Sequence, residues 1–103
     1  MLMNTRVPID EMALRDFCRH WKVRELALFG SVLRDDFNAQ SDIDVLIELL
    51  PSHGLSLYDW VDMSEELSRL FGRPVDLVSK RALKNPFRRR EILRTAEVVY
   101  AAL

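Results

Sequence analysis

Five residues have the types and spacing to do chemistry together: Gly30, Ser31, Asp42, Asp44 and Asp76. Asp42 and Asp44 fall two apart in a run that reads as a strand, so both point to one side of it. Two carboxylates held that close repel, and burying them unpaired is costly. A divalent cation removes the conflict, and Mg²⁺ is typically held by one or two carboxylates together with substrate phosphates and water. The alternative is a chance pair on a solvent face, which the depletion of aspartate in strands weakens. Gly30-Ser31 follows a strand-like run and precedes a helix-like one. Glycine lets backbone approach a ligand closely, a helix N-terminus offers free N–H groups to phosphate, and Ser31 adds a hydroxyl. Alone, that dipeptide is only a turn; its interest is that ten residues separate it from the Asp pair. Asp76 is either an exposed edge residue beside Arg73 or the third member of a carboxylate triad. Such a triad can hold two metal ions and serve as a base toward a hydroxyl.

These residues need elements to hold them. Pro8 suits a helix start, and Ile9, Met12, Ala13, Phe17 and Trp21 follow helical spacing, which predicts a helix over 8–20. Arg24 to Phe29 reads as a short buried strand, and Ser31 to Arg34 as the start of a short helix. Ser41 to Leu49 is a strand with Ile43, Val45 and Ile47 on one face and Asp42, Asp44 and Leu46 on the other. Ser56 with Asp59 makes a capping pattern. Leu57, Trp60, Val61, Leu67, Leu70 and Phe71 give the second long helix its apolar stripe. Gly72 ends that helix and Pro74 prevents its continuation. Val75 to Ser79 is a strand. Asn85-Pro86 starts a helix over 86–95, and Val98 to Tyr100 forms a last edge strand. Helices alternating with strands predict an α/β or α+β layered fold.

The chain has 103 residues, 49% of them apolar, enough for one small domain with its own core. A single cysteine, Cys18, excludes an internal disulfide and a paired-cysteine zinc site. It reads as a small buried residue. No apolar run approaches the ~18 residues of a membrane span, and Met1 to Asn4 lacks a signal-peptide stretch, so the expectation is a cytoplasmic protein. His20 and His53 lack metal-ligand spacing and receive no role. Trp21 and Trp60 fit core stripes. The net charge of −1 hides an asymmetry: nine acids and no Lys or Arg from Asp35 to Glu66, then seven bases and one acid from Lys80 to Arg94. Arg88, Arg89 and Arg90 form, in order of preference, a solvated helix face, a partner-binding rim or an RNA contact.

Gly30-Ser31, ten residues, then Asp42-Ile43-Asp44 resembles the signature of the DNA polymerase β-type nucleotidyltransferase superfamily. Leu28 to Arg34, Ser41 to Ile47, and Asp76 followed by Leu83-Lys84 and Arg89 to Tyr100 are similar to its minimal nucleotidyltransferase (MNT) branch. The resemblance runs from about Leu26 to the end of the chain. It departs at Asp35-Asp36, where relatives often carry a glycine after the residue matching Arg34. It implies one minimal nucleotidyltransferase domain over 1–103, an α+β fold with a mixed sheet backed by helices. It implies Asp42, Asp44 and Asp76 as catalytic and Mg²⁺-binding residues. Gly30, Ser31 and Arg34 would then be nucleotide-binding, and ATP the substrate. Minimal members are usually partnered with a HEPN-domain toxin, often a ribonuclease, and as antitoxins add AMP to its tyrosine hydroxyl.

Three functions therefore compete: an active nucleotidyltransferase antitoxin, held in a hetero-oligomer with its toxin; a non-catalytic protein that neutralises a partner by binding; and a nucleic-acid-binding module. Three intact acids favour the first over the second. A charge of −1, and the lack of aromatics interleaved with the arginines, argue against nucleic acid as a direct ligand.

Overall fold

The computed structural model describes residues 9–30, 42–51 and 54–102. Pro8, the expected short helix at Ser31 to Arg34, Asp35, Asp36, Ser41 and His53 lie outside these residues.

Helix α1 spans Glu11–His20. Its start is set by Asp10, not Pro8: one Asp10 carboxylate oxygen accepts from the N–H groups of Met12 and Ala13 at 3.1 Å each. This satisfies two of the donors that every helix start leaves open. Strand β1 is Val23–Phe29 and strand β2 is Ile43–Leu49. Helix α2, Leu57–Phe71, begins with the expected capping box. Ser56 Oγ accepts from the Asp59 N–H, and the Asp59 carboxylate accepts from the Ser56 N–H. It ends on Gly72 in the left-handed region, φ +73°. Strand β3 is Val75–Ser79, followed by a 3₁₀ turn at Lys80–Ala82, helix α3 at Pro86–Thr95 and strand β4 at Glu97–Ala101.

The strand order is β3-β2-β1-β4. β1 runs antiparallel to β2 and β4, while β2 and β3 are parallel. Parallel neighbours require a crossover, and α2 provides it. The fold is α+β with a mixed sheet, as expected. Period-two alternation sorts each strand between two cores. Leu26, Leu28, Ile43, Val45 and Ile47 pack beneath Leu14, Phe17 and Cys18 of α1 and Met63, Leu67 and Phe71 of α2. Ala27, Phe29 and Leu46 face the other way, onto Leu83 and Ile92 of the α3 side.

Two helical stripes differ from expectation. In α1 the buried positions are Leu14, Phe17 and Cys18, while Met12 is exposed. In α2 they are Met63, Leu67 and Phe71, with Trp60 and Leu70 partly buried. Leu57 and Val61 are exposed. Apolar type alone overstated the stripe, because only the residues turned toward the sheet, Met63, Leu67 and Phe71, are fully covered. Trp21 is likewise half-buried, its Nε1 donating to a Glu66 carboxylate oxygen at 3.4 Å. Burial pushes the Cys18 thiol up to about 12, so it is protonated and inert at neutral pH.

The three arginines of α3 do not act as one unit. Arg88 and Arg90 are exposed. Arg89 is half-buried and its guanidinium donates to the carbonyls of Lys80 at 2.9 Å and Leu83 at 3.5 Å, tying α3 to the 3₁₀ turn. Charge-assisted hydrogen bonds contribute about 1.5–3 kcal/mol. Arg89→Ala is therefore expected to lower unfolding stability by roughly that amount, while Arg88→Ala, a surface change, stays within about 0.5 kcal/mol. Urea unfolding of the two variants checks this.

Candidate active site

Gly30, Asp44 and Asp76 come together at one end of the sheet. β1 ends and β2 begins there, and Phe29 pairs with Asp44. Gly30 follows immediately, at φ +75°, a conformation that glycine adopts without cost. An added Cβ at Gly30 would collide with the Asp44 carboxylate, reaching Oδ2 first and lying 3.1 Å from Cγ. The missing side chain of Gly30 is thus what leaves room for the Asp44 carboxylate.

Asp76 stands beside Asp44 from the other flank. The two are register partners in the parallel β2–β3 pair, on strands about 4.8 Å apart. Asp44 alternates with Ile43 and Val45 and shares its side with Leu46, and Asp76 shares its side with Val78; both neighbours pack in the core under α3. The acids therefore emerge on the α3 face of the sheet, at the end toward which α3 runs before β4 starts opposite Leu28. Asp42 precedes β2 by one residue, where Ile43 N–H donates to Pro74 O at 3.0 Å and joins β2 to the start of β3. Asp42 and Asp76 are exposed and Asp44 is half-buried. Asp76 thus lies on the exposed edge strand, the first of its two expected settings, and is there the register neighbour of Asp44.

Among the described residues no three carboxylate, imidazole or thiol groups form a metal-holding cluster by themselves. The donor set still suits a hard cation that takes part of its shell from phosphate and water. Ser31 and Arg34 lie outside the described residues. His20 stacks edge-on against Trp21, ring centroids 4.8 Å apart, far along the chain from the acids. Sequence reasoning missed the steric link between Gly30 and Asp44. Its only trace in the sequence is a glycine placed directly after the β1 residue that pairs with Asp44.

The fold is a mixed α+β sheet that brings a close-approach glycine and neighbouring strand carboxylates to one end. The family model described as a nucleotidyltransferase domain matches residues 11–99, and the chain belongs to this nucleotidyltransferase family. Its class as an enzyme of nucleotidyl transfer follows. Protein adenylyltransferase MntA of Thermococcus cleftensis is 39% identical over 80 residues, covering 76% of this chain and 74% of that protein. A solved structure assigned as a minimal nucleotidyltransferase is 31% identical, with a TM-score of 0.69 over 84% of this chain and 86% of that one. The MNT antitoxin in complex with tri-AMPylated HEPN toxin of Shewanella oneidensis shares the fold. It is 19% identical, with a TM-score of 0.62 over 89% of this chain and 70% of the matched one. Among the described residues no helix is long and apolar enough to cross a membrane.

Proposed function

We propose that this chain transfers AMP from ATP to a tyrosine hydroxyl of a HEPN toxin, and acts as the antitoxin of that pair in a hetero-oligomer. The observation that carries the reading is the Asp44–Asp76 pair on adjacent strands, with Gly30 open against the Asp44 carboxylate. The name of the Thermococcus relative and the AMPylated toxin in the Shewanella complex support adenylyl transfer to protein.

Asp42, Asp44 and Asp76 are the residues that would hold Mg²⁺. When bound, the ion neutralises triphosphate charge and polarises the oxygens of the reacting phosphate. Gly30 brings backbone close to the phosphates, and Ser31 and Arg34 are their proposed further contacts. Asp76, exposed on the edge strand, accepts the proton of the incoming hydroxyl. The hydroxyl oxygen then bonds to the α-phosphorus in line, the bond to the β-phosphate oxygen breaks, and pyrophosphate leaves. One domain over residues 1–103 and a cytoplasmic setting, where ATP is supplied, belong to the same reading.

Asp76→Asn tests it. The exchange keeps side-chain volume but removes a ligand and a base, so labelled AMP transfer from ATP to the toxin should fall by about 10²-fold or more. The toxin complex should survive, as seen by size-exclusion chromatography. Loss of the complex with transfer retained in what remains would give Asp76 a structural role instead.

A further inference from the structure

The end of the sheet remote from Gly30 carries two exposed patches of opposite character. β2 and β3 both end there, at Leu49 and Ser79. The first turn of α2 lies beside them, since Leu49, Leu55, Leu57, Trp60, Met63 and Ser79 line a cavity of about 600 Å³. Leu57, which lines it, is 85% exposed; next to it on α2 Tyr58 is 85% and Val61 53% exposed, with exposed Asp62 and Glu65 following on the helix. This is an apolar patch with an acidic rim.

The first turn of α3 lies at the same end, because Arg89 bonds Lys80 O and the Lys80 ammonium meets Glu25 at 3.4 Å and Glu48 at 3.5 Å. Here Phe87 is 83% exposed, flanked by exposed Lys84 and Arg88. This is one protruding aromatic ring with a basic rim, opposite in charge to the rim of the first patch.

The two patches sit on opposite faces of the sheet, since α2 covers one core and α3 the other. A two-fold axis in the sheet plane and across the strands reverses strand direction and exchanges the faces. It sets the α2 patch of one copy against the α3 patch of its partner, twice per dimer, and the contact closes without leaving either patch free. We propose that this chain forms a homodimer through the end remote from Asp44, with Phe87 of each copy entering the apolar patch at Leu57, Tyr58 and Val61 of the other. Both Gly30–Asp44 ends then face outward and stay accessible. The proposal stands independently of what the acids catalyse.

Sedimentation equilibrium decides it. At about 100 µM chain and low salt, where charge pairs are least screened, the wild type should sediment at twice the 12.0 kDa chain mass, and the dimer should weaken as salt rises. Phe87→Ser, an exposed change, should weaken association at least tenfold with circular dichroism unchanged. Reversing the acidic rim, Asp62→Lys with Glu65→Lys, or the basic rim, Lys84→Glu with Arg88→Glu, should leave each variant monomeric. Mixing the two reversed variants should restore a dimer, because every facing pair is then opposite in sign. A monomeric wild type overturns the proposal, also where the α2 patch proves to bind another protein. A wild-type dimer unaffected by either rim reversal overturns it as well.

Discussion

Mg²⁺ with ATP should raise the melting temperature of the wild-type chain, and Asp42→Asn with Asp44→Asn should remove that rise. A ligand at 100 times its dissociation constant stabilises the folded state by about 2.7 kcal/mol. In a domain near 100 residues each kcal/mol moves the midpoint by about 4–8 °C, so a shift of roughly 10–20 °C is expected. The double variant should melt near the unliganded wild type with or without nucleotide. Its own folding should be little affected, because Asp42 is exposed and Asp44 only half-buried, and asparagine keeps the size and an acceptor oxygen of aspartate. Differential scanning fluorimetry checks both statements, and equal shifts in the two proteins would remove the cation from Asp42 and Asp44.

The second large effect belongs to Gly30→Ala. Its Cβ would press on the Asp44 carboxylate, 3.1 Å from Cγ and 3.4 Å from Cβ of that residue, at a backbone φ of +75°. Asp44 must then leave its place beside Asp76. AMP transfer is expected to fall by about 10²-fold or more, as displacement of a reacting group by an ångström does. Gly72→Ala is the matched control. Gly72 has nearly the same backbone, φ +73°, with nothing within 4 Å of an added Cβ. Both variants should lose about 1–2 kcal/mol of stability from the left-handed conformation, but only Gly30→Ala should lose transfer. Equal activity of the two would show that Asp44 tolerates the contact.

Much of this site is local in origin. Asp44 and Leu46 share a face because strand side chains repeat every two residues. The α2 boundaries are visible in Ser56, Asp59 and Gly72, because caps and left-handed termini are decided by neighbouring backbone. The stripes of α1 and α2 were less legible. Which apolar residues are covered depends on where the helix lies over the sheet, so Met12, Leu57 and Val61 look like core residues and are exposed. In the basic segment Arg88 and Arg90 lie on the expected solvated face, and only Arg89 departs: it is held by two backbone carbonyls that only the folded 3₁₀ turn brings within reach.

Periodicity, capping and residue chemistry act over a few neighbouring positions, so the three long helices, the four strands and the layered class were legible along the chain. Tertiary structure alone decided that Asp76 stands beside Asp44. Pairing of parallel strands across a 15-residue crossover helix sets that register, and a shift of one residue would turn Asp76 to the opposite face. It also decided that Gly30 makes room for the Asp44 carboxylate, because strand pairing brings together residues far apart in the chain.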